Sequence, residues 1–317
     1  MRVAVVFPGQ GTQAPGMGEP WRDHPAWKIV EQAEAALGEP LAPLLLDTPA
    51  EGLARTREAQ LAVLCTSLVA WEAARPMLDD VVAFAGHSLG QVTALIASGT
   101  LDLEDGVRFA ARRAELTQAA ADAHPGRMAA LLGATIEQAE QACEAAADGA
   151  WVANDNAPGQ VVIAGTPDGV ELALERAKEI GVRRATPLKV GGAFHTPLMN
   201  SARDGLVDVL RHVAFKPPTA PVVSNHDGLA YDDGDGWRDR LPDHVTVPVR
   251  WRTSMETLAG LGAAAFVEVG HGSMIAGVAK RTVPDVRVIA CGTPAECEQL
   301  SAAVNSPSSP NFPQEES

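Results

Sequence analysis

A chain of 317 residues with 46% apolar side chains can bury a large core and divide into a main domain and a smaller one. Its formal net charge of −15 argues against nucleic-acid binding, which needs a basic face; an acidic protein partner would need a local basic patch. No apolar run reaches membrane-spanning length, and the first, Val3 to Phe7, is too short for a signal-peptide core, so a cytoplasmic protein is expected.

In chain order, Val3–Phe7 is a short apolar run stopped by Pro8-Gly9-Gln10-Gly11, which predicts a buried first strand feeding a tight loop. Helical spacing follows over Trp27–Leu37 and Ala59–Ala74, then a strand-like run, Val81–Ala85, and a helix-like one from Gln91 to Ala97. A further helix is predicted from Leu103 to Ala121. Alternation of strands and helices implies a mainly parallel sheet covered on both faces.

From Gly126 to Val190 the pattern changes. Strand-like Met128–Gly133, helical Ile136–Ala146, strands Ala150–Ala153 and Val161–Gly165, a helix Val170–Ile180 and a strand Arg184–Val190 give the order β-α-β-β-α-β. That order predicts a ferredoxin-like unit inserted in the larger domain. Thr166-Pro167-Asp168 opens its second helix, with Asp168 as the expected cap. The large domain then resumes with helix Ser201–His212, strand Ala220–Ser224, helix Thr253–Ala259, strand Ala265–Val269 and a final helix from Ser273. The expected division is residues 1–125 and 191–300 for the large domain, 126–190 for the small one, and a disordered Pro- and Ser-rich tail over 304–317. Cys65, Cys143, Cys291 and Cys297 show neither Cys-x-x-Cys nor zinc-ligand spacing, so they read as reduced thiols with no metal.

The chemistry centres on Gly86-His87-Ser88-Leu89-Gly90, set between a strand and a helix. Such a turn lifts a serine hydroxyl clear of a sheet, and its small residues let strand and helix pack closely around it. The helix that follows directs its N-terminal N–H groups and dipole at any negative charge formed there. The serine needs a base. His195, in the small-residue loop Gly191-Gly192-Ala193-Phe194-His195-Thr196-Pro197, can meet Ser88 across a cleft, although a structural loop histidine fits the same spacing. His87 neighbours Ser88, but adjacent side chains on such a turn point apart, and His226-Asp227 reads as a turn after a strand. No Asp or Glu stands out as a third triad member.

Glycines around Gln10 let the backbone present N–H groups inward, so the amides of Gln10 and Leu89 could hold an oxyanion; a plain turn is the alternative. Arg108 and Arg112 lie four residues apart on one face of the 103–121 helix, whereas Arg113 turns about 100° away. One of these arginines is expected to point inward, where a guanidinium seeks a carboxylate.

The set Phe7-Pro8-Gly9-Gln10-Gly11-Thr12-Gln13, Gly86-His87-Ser88-Leu89-Gly90, Asn156-Ala157-Pro158-Gly159-Gln160-Val161-Val162, Gly192-Ala193-Phe194-His195-Thr196-Pro197-Leu198-Met199, Pro248-Val249-Arg250-Trp251 and Phe266-Val267-Glu268-Val269-Gly270 resembles the malonyl-CoA:acyl carrier protein transacylase family. It is also similar to polyketide synthase acyltransferase domains. The resemblance runs in order over residues 3–290.

It implies an α/β-hydrolase-like large domain interrupted by a ferredoxin-like one, with the active site between them. It makes Ser88 the nucleophile, His195 the base, Gln10 and Leu89 the backbone oxyanion donors, and Arg113 the partner of the malonyl carboxylate. It assigns the carbonyl that orients the histidine to Arg250. The substrates implied are malonyl-CoA and the phosphopantetheine thiol of an acyl carrier protein, with no cofactor, in fatty acid or polyketide biosynthesis. Three departures bear on pocket shape. Gln91 stands where the family carries Glu, Ala114 and Thr117 replace Gly and Met, and Gly270-His271-Gly272 replaces Gly-Pro-Gly. Ala193-Phe194-His195 resembles the malonyl-selective signature. An acyl hydrolase of the same fold and a non-catalytic carrier-docking subunit are the competing readings, the hydrolase lacking an inward arginine.

Overall fold

The computed structural model describes residues 1–188 and 190–305. One sheet holds six strands, β1 (Val3–Phe7), β2 (Val81–Gly86), β7 (Val222–Val223), β8 (Ala230–Tyr231), β9 (Ala265–Val269) and β10 (Arg287–Cys291). Their order is β10-β9-β1-β2-β7-β8. Every pair is parallel except β7 with β8 at the edge. β1 is central and wholly buried: Val3, Val5 and Phe7 enter one core while Ala4 and Val6 enter another on the opposite face. Side chains alternate across a strand, so a continuous apolar run is what a doubly covered parallel sheet requires.

A second sheet holds β3 (Arg127–Leu132), β4 (Ala150–Ala157), β5 (Gln160–Gly165) and β6 (Arg184–Pro187), in the order β4-β5-β3-β6. All its pairs are antiparallel. Ala129 and Leu131 pack with the Ile136–Glu144 and Pro167–Glu179 helices, while Met128 and Ala130 turn to the other face beside Ala193 and Phe194. That other face looks toward the large sheet. The two are joined where Val249 donates to the Ala153 carbonyl and accepts from Asp155 N–H, both at 2.9 Å.

Several expectations need correction. The second helix of the small sheet is capped by Thr166, whose hydroxyl accepts from Gly169 N–H at 3.1 Å, with Asp168 inside its first turn. The helix from Ser273 is not the last element: it runs Met274–Thr282, and β10 and a helix Pro294–Asn305 follow. β10 is a half-exposed edge strand, so the long apolar run that marks a central strand is missing there. Val304 is 6% exposed and packs into the core, so the tail does not begin at 304; residues 306–317 lie outside the described residues. Cys291 and Cys297 are not reduced thiols but a disulfide, with Cα atoms 5.2 Å apart. The chain reverses between the end of β10 and the first turn of the last helix, which stacks the two buried cysteines. Cys65 and Cys143 remain free, and burial pushes both thiols up to about 12.

The turn after β2 depends on two glycines. A methyl group on Gly86 would be driven into the Gly90 carbonyl, and one on Gly90 into the Phe7 carbonyl. Both obstacles are backbone, which cannot rotate aside. Gly86→Ala and Gly90→Ala should each cost about 3 kcal/mol or more in urea unfolding. Gly277→Ala, on an exposed helix position with open space around it, should stabilise by roughly 0.5–1 kcal/mol.

Candidate active site

Ser88 occupies the sharp turn between β2 and the Gly90–Ala97 helix with φ of +52°. This is left-handed backbone, which a side-chain-bearing residue adopts only where its surroundings impose it. His195 is likewise left-handed, at φ +62°, in the loop that leaves the small sheet. Its backbone N–H donates to the Val245 carbonyl at 3.0 Å. Thus held, His195 Nε2 sits 2.8 Å from Ser88 Oγ.

The ring's other nitrogen fixes the tautomer. His195 Nδ1 is 2.8 Å from the His244 carbonyl, which can only accept, so Nδ1 carries the hydrogen and Nε2 is free to take the serine proton. The carbonyl that orients the histidine is therefore His244, not Arg250. The Arg250 carbonyl is already used as the first acceptor of the Trp251–Gly260 helix, taking both the N–H and the hydroxyl of Ser254 at 2.9 Å. Burial first, then the Arg113 charge, push the His195 imidazole down to about 3. It is a neutral base at physiological pH.

Of the three arginines, Arg108 and Arg112 lie on the exposed face, paired with Glu104 and Glu115. Arg113 points inward and is 6% exposed. Its Nη1 donates to Gln60 Oε1 at 2.6 Å and its Nη2 to Ser88 Oγ at 3.3 Å. No acidic side chain pairs with it among the described residues. Burial lowers its guanidinium to about 10, still fully charged near neutrality. Gln60, buried on the Thr56–Ala74 helix, also reaches Gln10 Oε1 through its Nε2 at 3.4 Å. Sequence reading missed it. The signal was a lone amide within a run of apolar helix positions.

These groups line one cavity of about 180 Å³. Gln10, His87, Ser88, Arg113 and His195 form its polar end, and Met128, Val162 and Phe194 form part of its apolar wall. It lies between the two sheets. His87 turns away from the serine–histidine pair to Asn156 Oδ1, 2.9 Å from its Nε2, and packs edge-on against Trp251. His226 has no ion pair with Asp227, whose oxygens accept from Leu229 N–H and the Tyr231 hydroxyl. The N–H groups of Gln10 and Leu89 have no acceptor in the protein among the described residues. Leu89 opens the Gly90–Ala97 helix, so its amide is one of the unsatisfied donors that make a helix N-terminus attract negative charge. Among the described residues no group of acidic, histidine or cysteine side chains is arranged to hold a metal ion, and no helix is long and apolar enough to cross a membrane.

Residues 4–296 match the acyl transferase domain family. The chain is 39% identical over 299 residues to the malonyl CoA-acyl carrier protein transacylase of Escherichia coli (strain K12), covering 92% of this chain and 96% of the relative. It is 36% identical over 302 residues to the protein of the same name from Bacillus subtilis (strain 168), covering 94% and 95%. Among solved structures it superposes, with a TM-score of 0.91 and 32% identity over 96% of this chain and 100% of the other, on a malonyl-transacylase determined in complex with its type II PKS acyl-carrier protein. On its sequence, its architecture and its site, this chain belongs to the acyl transferase family of the malonyl-CoA:acyl carrier protein transacylases.

Proposed function

We infer that this chain transfers a malonyl group from malonyl-CoA to the phosphopantetheine thiol of an acyl carrier protein, through an ester on Ser88. The observation that carries this reading is Arg113, a buried cation with no acid partner among the described residues, 3.3 Å from the Ser88 hydroxyl. A malonyl thioester brings the missing carboxylate.

In the first half-reaction His195 Nε2 takes the Ser88 proton as Oγ bonds to the thioester carbon. The N–H groups of Gln10 and Leu89 stabilise the oxyanion. The carbon–sulfur bond then breaks, and the departing CoA sulfur takes the proton from His195. In the second half-reaction the carrier thiol gives its proton to His195 and attacks the ester, and Ser88 Oγ leaves and recovers the proton. His244 holds the imidazole in the tautomer that both steps need. Nothing is oxidised or reduced, and every proton moves between Oγ, Nε2 and sulfur, so the chemistry calls for no cofactor. A hydrolase using the same serine and histidine would leave Arg113 without a partner in every step, which counts against that alternative.

The strand order of the small sheet supports reading residues 126–190 as a ferredoxin-like insertion. The parallel strands leading to the Ser88 turn support an α/β-hydrolase-like large domain over 1–125 and 191–300. A place in fatty acid or polyketide biosynthesis in the cytoplasm, beside an acyl carrier protein, completes the proposal. Brief exposure to malonyl-CoA followed by intact-protein mass spectrometry should show one malonyl adduct, absent in Ser88→Ala. An adduct that survives Ser88→Ala would overturn the assignment.

A further inference from the structure

The reacting groups leave one question open: what holds Ser88 in left-handed backbone. The answer lies behind the turn, outside the cavity. Ser88 N–H donates to Asn225 Oδ1 at 2.7 Å, and Asn225 Nδ2 donates to the Gly86 carbonyl at 2.8 Å. A single carboxamide thus grips the turn on both sides of His87. Asn225 is 2% exposed and follows β7, the strand beside β2. It is held in turn by its own backbone. Its N–H donates to Gln91 Oε1 at 3.0 Å and its carbonyl accepts from Arg250 N–H at 2.9 Å. Gln91 is 1% exposed, and its Nε2 has no acceptor among the described residues; only its oxygen is used.

Resting on the reading of Ser88 as nucleophile, we propose that Asn225 is a positioning residue for the acylation step, with Gln91 fixing Asn225. The clamp does two things. It ties the Ser88 N–H away from the cavity, leaving the Leu89 and Gln10 amides as the donors that face a developing oxyanion. It also sets the direction of the Ser88 Cα–Cβ bond and so the 2.8 Å approach of Oγ to His195. Neither residue lines the cavity, so substrate affinity is not theirs to set. A misplacement of about 1 Å at a reacting atom costs on the order of 10² in rate.

The test is rapid-quench acylation by malonyl-CoA, read by intact mass and normalised to the fraction of Ser88 that acylates at long times. Asn225→Ala should lower the saturating acylation rate by about 10²-fold and leave the half-saturating malonyl-CoA concentration within about threefold of wild type. Gln91→Ala should show a smaller loss with the same split. Gln91→Glu, which keeps an oxygen for the Asn225 N–H, should restore the wild-type rate. Thr257→Ala removes a hydrogen bond to the Gly228 carbonyl in the same region without touching the clamp, and should cost stability while keeping the rate. If Asn225→Ala does not fold, the Gln91 pair decides. Wild-type rates per acylatable site in Asn225→Ala or Gln91→Ala, or a loss confined to half-saturation, would overturn the proposal. Failure of the wild-type protein to form any Ser88 adduct would instead overturn the reading on which it rests.

Discussion

Arg113→Ala should abolish most malonyl loading and raise the acetyl-to-malonyl loading ratio by several orders of magnitude. The guanidinium is 6% exposed, is steered by Gln60 at 2.6 Å, and has no acidic partner among the described residues. Burial lowers it only to about 10, so it stays charged at neutral pH. A charge buried in this way is costly to desolvate until a carboxylate pairs with it. Malonyl-CoA supplies that carboxylate in a two-pronged geometry and acetyl-CoA supplies nothing. A site built around a polar group rejects analogues that leave the group unsatisfied by up to about 10⁴–10⁵. Removing the guanidinium removes both the attraction and the penalty. Arg108, exposed and paired with Glu104 and Asp105, is the control, and Arg108→Ala should change neither rate nor ratio. Competitive loading of Ser88 from mixed acyl-CoAs measures both. A wild-type malonyl preference in Arg113→Ala would move the carboxylate pocket elsewhere and revive the hydrolase reading.

Local pattern carried the parts of the fold that local forces decide. Val3–Phe7 and Val81–Gly86 are legible because a strand covered on both faces must be continuously apolar. The Ser88 turn is legible because Gly86 is demanded by the Gly90 carbonyl within the same turn, although the demand on Gly90 comes from the distant Phe7 carbonyl. Helical phase placed Arg113 off the face that Arg108 and Arg112 share but left open which arginine points inward; the resemblance singled out Arg113, and its burial bears that out. The remainder depends on where distant segments cross. Whether His195 meets the carbonyl of His244 or of Arg250 is set by the path of the intervening loop. Only the structure reveals that the Arg250 carbonyl is consumed by the helix it starts. Asn225, in a Ser-Asn-His-Asp-Gly run that reads as a plain turn, takes its meaning from Gly86 and Ser88, well over a hundred residues away in sequence. The Cys291–Cys297 pair escaped for a similar reason: its spacing matters only because a strand turns back into a helix there.

His195→Ala should lower malonyl transfer by about 10²–10⁴, the range general-base catalysis provides. His226→Ala should stay near wild type, since His226 does not line the cavity. The pH profile tests the electrostatics of the same ring. An unperturbed imidazole, titrating near 6.5, would lose about 25-fold of its base form between pH 7 and pH 5. In the free protein burial, with the Arg113 charge behind it, holds His195 down to about 3, so the neutral base persists through that interval. Because the group is lowered, its base form is complete above the window and is lost only as pH falls toward the depressed value. The apparent second-order rate constant for Ser88 acylation should therefore stay nearly flat from pH 7 to pH 5. Part of the depression comes from Arg113, and the malonyl carboxylate offsets that charge on binding. The acid limb of the saturating rate should thus lie at higher pH than that of the second-order constant. Arg113→Ala should move the second-order limb upward as well. A fall of about 25-fold by pH 5 in the wild-type second-order constant would mean that His195 titrates as a solvated imidazole, and that the closed, charged site described for it does not exist in solution.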